Sequence, residues 1–79
     1  MTEGLTWMAA YYNYDLKEWE IRLQKAPEVA RKMSTEELKR KRDQQIPFVE
    51  YLLKYRPDDP RLAIVHKVMQ IQDNELATR

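Results

Sequence analysis

The sequence predicts an all-α protein: a small up-down bundle of three main helices in a single domain, residues 1–79. The 79 residues include only one glycine, whereas tight β-hairpins depend on glycine. Residues that favour helices are frequent, and prolines or capping residues bound three segments with helical spacing of apolar side chains. We therefore expect helices at about 5–25, 35–55 and 60–77, with short connections that make neighbouring helices antiparallel.

The first predicted helix, residues 5–25, is rich in aromatic side chains, since it holds five of the chain's eight aromatic residues. One side has the apolar spacing of a core stripe. That stripe consists of Leu5, Met8, Tyr12, Leu16, Trp19 and Leu23. The nearly opposite side is also apolar and carries Trp7, Tyr11, Tyr14 and Ile21. A helix with two apolar sides needs two partners.

The second apolar side could pack against either of two partners, the second helix of the same chain or a surface outside it. Phe48, Tyr51 and Tyr55 share a face of the second helix, and an antiparallel arrangement would place them opposite residues 7–14. However, a helix in a three-helix bundle buries adjacent sides, so apolar surface is left over for another protein or a second copy of the chain. We predict that external contact, through Trp7, Tyr11, Tyr14 and Ile21. A homodimer, a heteromeric complex and burial in the core all stay open.

Two positions bear on where the first helix begins and ends. Asn13-Tyr14-Asp15 offers an alternative start, in which Asp15 caps a helix and the two apolar sides no longer share it. Pro27 predicts the end, because proline lacks the N–H that a helix interior requires. Residues 27–33 are then compatible with one short helical turn.

The later helices have clear boundaries. Ser34 to Glu37 form a capping box, and Pro47 should kink or split the second helix after Gln45. Residues 56–60 predict a tight loop between two helices. Asp59 is expected to cap the third helix, which starts at Pro60. The third helix has an apolar face wider than one seam requires. That face comprises Leu62, Ile64, Val65, Val68, Met69, Ile71 and Leu76.

A basic segment provides the alternative function. Residues 22–42 carry eight bases and three acids, a net charge of +5. The alternative phosphate-binding residues are Arg31, Lys32, Lys39, Arg40, Lys41 and Arg42. Successive helical residues point in different directions, and Glu36–Arg40 and Glu37–Lys41 are spaced to form ion pairs that neutralise charge. Nucleic-acid binding is therefore the second prediction.

The sequence contains few residues that could form a catalytic site or bind a metal ion. The chain has no cysteine and one histidine, His66, so we expect no metal site, no cofactor and no enzymatic activity. It also lacks a long apolar run or a signal-peptide pattern, so we expect a cytoplasmic protein with no membrane segment. The sequence predicts a non-enzymatic protein–protein interaction module, such as a small regulator, inhibitor or complex subunit.

Overall fold

A computed structural model describes residues 14–79, so the predictions for Trp7 and Tyr11 lie outside the described residues. This part of the chain forms four helices: α1 (Leu16–Lys32), α2 (Thr35–Gln44), α3 (Ile46–Tyr55) and α4 (Pro60–Ala77). Residues 14–79 contain no strand, and the prediction of a small all-α bundle is confirmed. Of the four described helices, none combines the length and the apolar character that a membrane crossing demands.

α1 begins at Leu16, inside the predicted helix over 5–25, because Asp15 caps it. Tyr14 and Asp15 are not helical. The Asp15 carboxylate accepts a hydrogen bond from the Glu18 N–H at 2.8 Å, which satisfies one amide that the first turn leaves free. The alternative start at Asp15 is therefore confirmed, and Tyr14 does not share a helical face with Ile21.

α1 also continues past Pro27, so the predicted helix end at this proline is wrong. Pro27 offers no amide proton to the Leu23 carbonyl, and an internal proline costs about 3 kcal/mol. Tertiary contacts offset this cost. Ala26 and Ala30 on either side of the proline are buried, and the Arg79 guanidinium donates to the Ala30 carbonyl at 2.9 Å. The last turns of α1 are thus held by other parts of the chain.

The predicted helix over 35–55 is two helices, α2 and α3, which meet at Gln45. At the start of α2, the Ser34 hydroxyl accepts from the Glu37 N–H at 3.1 Å, as the capping box predicts. Pro47 lies in the first turn of α3, where its missing N–H removes no helical hydrogen bond. The split after Gln45 is therefore confirmed, and this single residue joins the two helices.

α4 begins as predicted, with Asp59 as its cap and Pro60 as its first residue. It packs most extensively against α1 and also contacts α2 and α3, so it is the central helix of the described bundle. Its wide apolar face is accordingly buried or half-buried within the chain. The residues concerned are Leu62, Ile64, Val65, Val68, Met69, Ile71 and Leu76.

The core is organised around two stacked rings. Trp19 and Phe48 are fully buried, with ring centroids 5.8 Å apart and planes 5° from parallel. The Tyr14 ring meets Trp19 edge-on at 5.9 Å, a favoured aromatic geometry. The predicted core position of Trp19 is confirmed. Of the three aromatic residues predicted to share a face of the second helix, Phe48 is buried and Tyr51 is half-buried, whereas Tyr55 is 62% exposed.

Arg61 joins the start of α4 to the segment that precedes α1. Its guanidinium donates to the Asp59 carboxylate, with a shortest N–O distance of 2.7 Å, and to the Tyr14 carbonyl at 3.0 Å. Both side chains of the Asp59–Arg61 pair are nearly buried. The hydrogen bond from Arg61 lowers the pKa of Asp59 below its ordinary value. These contacts fix the amino-terminal end of α1 against α4.

Candidate protein-binding groove

A groove of about 350 Å³ lies between α1 and α2, with α4 at its base. Its apolar lining comes from all three helices. α1 contributes Ile21, Ala26, Val29 and Ala30, the residue that caps its end contributes Met33, α2 contributes Leu38, and α4 contributes Val68. We call this feature the α1–α2 groove.

The spacing of residues on α1 explains the shape of the groove. Four longer side chains recur every four residues, three on α1 and the fourth at its C-cap, and form one ridge. They are Ile21, Lys25, Val29 and Met33. Between this ridge and α4 lie Ala26 and Ala30, whose methyl groups are too small to fill the space. Ile21 and Val29 are each 43% exposed, so two branched aliphatic side chains stand at the edge of one concave apolar surface.

The groove has a basic rim on two walls. Arg22 and Lys25 line it from α1, and Lys41 lines it from α2. The Arg22 guanidinium carbon lies 4.9 Å from the Tyr14 ring centroid and 5.2 Å from that of Trp19, so two rings orient its charge. Among residues 14–79, no aspartate or glutamate lines the groove. Its electrostatic character is therefore cationic.

Two glutamines form the polar part of the groove lining. Gln45 is 1% exposed and its amide nitrogen donates to the Gln72 side-chain oxygen at 2.7 Å. The other amide atom of Gln45, Oε1, accepts no hydrogen bond from residues 14–79. This pair joins the α2–α3 junction to α4, beside an otherwise apolar surface.

The predicted partner-binding residues fall in different places. Ile21 lines the α1–α2 groove and is exposed. Tyr14 is half-buried, packs on the core through Trp19 and precedes α1, so only part of its surface faces outward. Trp7 and Tyr11 lie outside the described residues, and their role stays a prediction.

The predicted phosphate-binding residues are divided between two helices. Arg31 and Lys32 end α1, whereas Lys39, Arg40, Lys41 and Arg42 lie on α2. Lys39 and Arg40 are exposed, while Lys41 is half-buried and lines the α1–α2 groove. Successive residues of α2 therefore present their charges to different surroundings.

Carboxylates engage two of these six cations. Arg42 forms ion pairs with its neighbour Asp43 on α2 and with Asp73 on α4, and the N–O distance is 3.1 Å in each pair. The hydrogen bond to Asp73 is the main cause that raises the pKa of Arg42. Lys32 pairs with Glu28 at 3.2 Å, one turn earlier on α1. Their charges are thus partly neutralised before any ligand arrives.

The ion pairs predicted on α2 are not formed. Within the described part of the chain, no ion pair joins Glu36 to Arg40 or Glu37 to Lys41. Exposed pairs of this kind gain little free energy. Lys41 instead lines the groove, where it adds to the basic rim.

Residues 14–79 contain no group of three histidine, aspartate or glutamate side chains that could hold a metal ion. The single histidine, His66, is exposed on α4. No protein-family model, curated protein or solved structure matches the chain significantly. The function is therefore inferred from the geometry and chemistry of the groove.

Sequence reasoning identified Ile21 but missed Val29 and Met33. The reason is Pro27, which predicted a helix end before them. The four-residue spacing from Ile21 to Met33 was the available signal, and an uninterrupted helix would have aligned these residues. No signal in the sequence places Lys41 in the same groove, since that depends on how α2 packs beside α1.

Proposed function

We propose that this protein is a non-enzymatic, cytoplasmic interaction module, acting as a small regulator, inhibitor or complex subunit. It binds a protein partner by receiving apolar side chains in the α1–α2 groove. The observation that carries this proposal is the concave apolar surface with Ile21 and Val29 exposed at its edge. Concave apolar surfaces rimmed by polar groups are typical of protein contacts. Trp7, Tyr11 and Tyr14 are proposed to extend the same contact.

The chemistry of the groove supports binding rather than catalysis. The lining residues that the structure describes carry no carboxylate, imidazole, thiol or hydroxyl group that could act as a general base or a nucleophile. Its charged groups are one arginine and two lysines at the rim, which suit the recognition of an anion. The partner is a heteromeric protein or a second copy of the chain.

Site-specific photo-cross-linking in the native cell tests this proposal. A photoreactive amino acid at the exposed rim position Lys25 should capture a defined partner. Ile21→Glu should abolish this capture, because it introduces a charge at the edge of the apolar surface. Leu53→Glu is the matched control, since Leu53 is 53% exposed on α3, away from the groove, and capture should persist.

Capture that Ile21→Glu leaves intact, or that both variants abolish equally, would contradict a specific role for the groove. Light scattering of the purified protein decides whether the partner is a second copy. Trp7→Ala combined with Tyr11→Ala should weaken the same association with little loss of helix if these rings take part.

Nucleic-acid binding through residues 31–42 is distinguished by electrophoretic mobility shifts at two salt concentrations. A phosphate-binding protein would bind tightly at low salt and lose affinity steeply as salt rises. We expect weak binding, because Arg42 and Lys32 are already paired with carboxylates.

A further inference from the structure

The positions of charge around the α1–α2 groove define the chemistry of its partner. Arg22 and Lys25 lie on one wall and Lys41 lies on the other, with apolar side chains between them. A ligand that satisfies both walls must carry anionic groups on both flanks of an apolar stripe.

The length of the groove matches a short helix. The wall formed by α1 and its C-cap runs from Ile21 to Met33, which corresponds to about 18 Å at a rise of about 1.5 Å per residue. The small side chains of Ala26 and Ala30 leave room along its floor. Helices that dock in apolar grooves present anchors at i, i+3 or i+4, and i+7, a pattern that fits this length. A nucleic acid would instead leave the apolar floor without a matching surface.

We infer that the α1–α2 groove binds an acidic amphipathic helix of about three to four turns. Its apolar stripe enters between α1 and α2, and its aspartates or glutamates flank that stripe and pair with Lys25 and Lys41. This inference rests on the proposed function, because it specifies the partner of the same groove. Charge complementarity here sets specificity and the rate of association, while the apolar contact supplies most of the affinity.

Selection from a displayed library of helical peptides tests this inference. Each 14-residue peptide has a fixed stripe of leucines at i, i+3, i+4, i+7 and i+11, and its flanking positions are randomised among Asp, Glu, Lys, Arg, Gln and Ser. Selection on the wild-type protein should enrich acidic residues on both flanks. Selection on the Lys25→Glu/Lys41→Glu double variant should enrich basic residues instead. The affinity of an acidic clone should fall about tenfold on that variant.

Parallel selections separate the two levels of the proposal. If wild-type protein enriches peptides with neutral or basic flanks and Ile21→Glu abolishes their binding, the groove is a docking site. The inference that its ligand is an acidic helix is then overturned. If enriched peptides bind Ile21→Glu as well as wild type, the proposed function fails too. If no peptide is enriched, but wild type retains DNA or phosphatidylglycerol vesicles and the double variant does not, the rim binds phosphate and the inference is overturned. Circular dichroism of each variant verifies that it is folded.

Discussion

Replacing Arg61 by methionine should destabilise the protein strongly, because one substitution removes several contacts of a nearly buried guanidinium. Methionine keeps the apolar stem but loses the hydrogen bonds to the Asp59 carboxylate and to the Tyr14 carbonyl. It also removes a cation that lies 5.5 Å from the centre of the Phe48 ring. The Asp59 carboxylate would then stay nearly buried without its counter-ion.

The expected loss follows from the exposure of this pair. Breaking a buried ion pair by removing one partner costs about 3–5 kcal/mol. The Arg61 and Asp59 side chains are 12% and 10% exposed, at the edge of the core, so the lower end of this range applies. We expect a loss of about 3 kcal/mol in the free energy of unfolding. In a domain of this size that corresponds to a fall in Tm of about 12–24 °C.

Urea denaturation followed by circular dichroism measures this loss, and pH provides a second signature. Because Arg61 lowers the folded pKa of Asp59 below its ordinary value of 3.8, the carboxylate stabilises the fold fully only well above that value. This stabilisation disappears as the pH falls through the lowered pKa. The difference between wild type and Arg61→Met should therefore be largest near pH 7 and shrink below pH 4.

Arg40→Met is the matched control, because Arg40 is exposed on α2 and forms no ion pair within residues 14–79. It should change the free energy of unfolding by no more than about 0.5 kcal/mol. A loss below about 1 kcal/mol in Arg61→Met, or a loss of equal size at pH 7 and pH 3, would refute the assigned role of the pair.

Three further substitutions test the helix contacts, each by urea denaturation. Pro27→Ala should stabilise the protein by about 1–3 kcal/mol, because residue 27 then donates to the Leu23 carbonyl; an unchanged stability would mean that this carbonyl already has a donor. Gln45→Leu should cost about 1–3 kcal/mol because it leaves Gln72 without its donor, whereas the double replacement with Gln72→Leu should be nearly neutral. Equal losses in the single and double variants would contradict this coupling. Arg79→Ala should cost about 1–2 kcal/mol and speed amide hydrogen exchange in the last turn of α1, and unchanged exchange there would show that its contact with Ala30 is incidental.

Local chemistry made much of the fold predictable. Ser34 and Asp59 accept hydrogen bonds from amides two or three residues later, so their capping roles depend only on neighbouring sequence. Pro47 and Pro60 likewise lie in first helical turns, where proline is tolerated for local reasons. The all-α class, the start of α4 and the split after Gln45 could therefore be predicted. Ile21 could be identified as an apolar residue outside the core stripe for the same reason.

Contacts between distant residues decided the rest. α1 runs through Pro27 although local rules end it there, and Arg79 reaches the Ala30 carbonyl from 49 residues away. The α1–α2 groove is lined by small alanines of α1 together with residues of α2 and α4, an arrangement that no segment of the chain encodes alone. Lys41 joins its rim for the same reason. An internal proline costs about 3 kcal/mol and other residues differ in helix propensity by about 1 kcal/mol or less, so burial and hydrogen bonds formed on packing outweigh these local terms in α1.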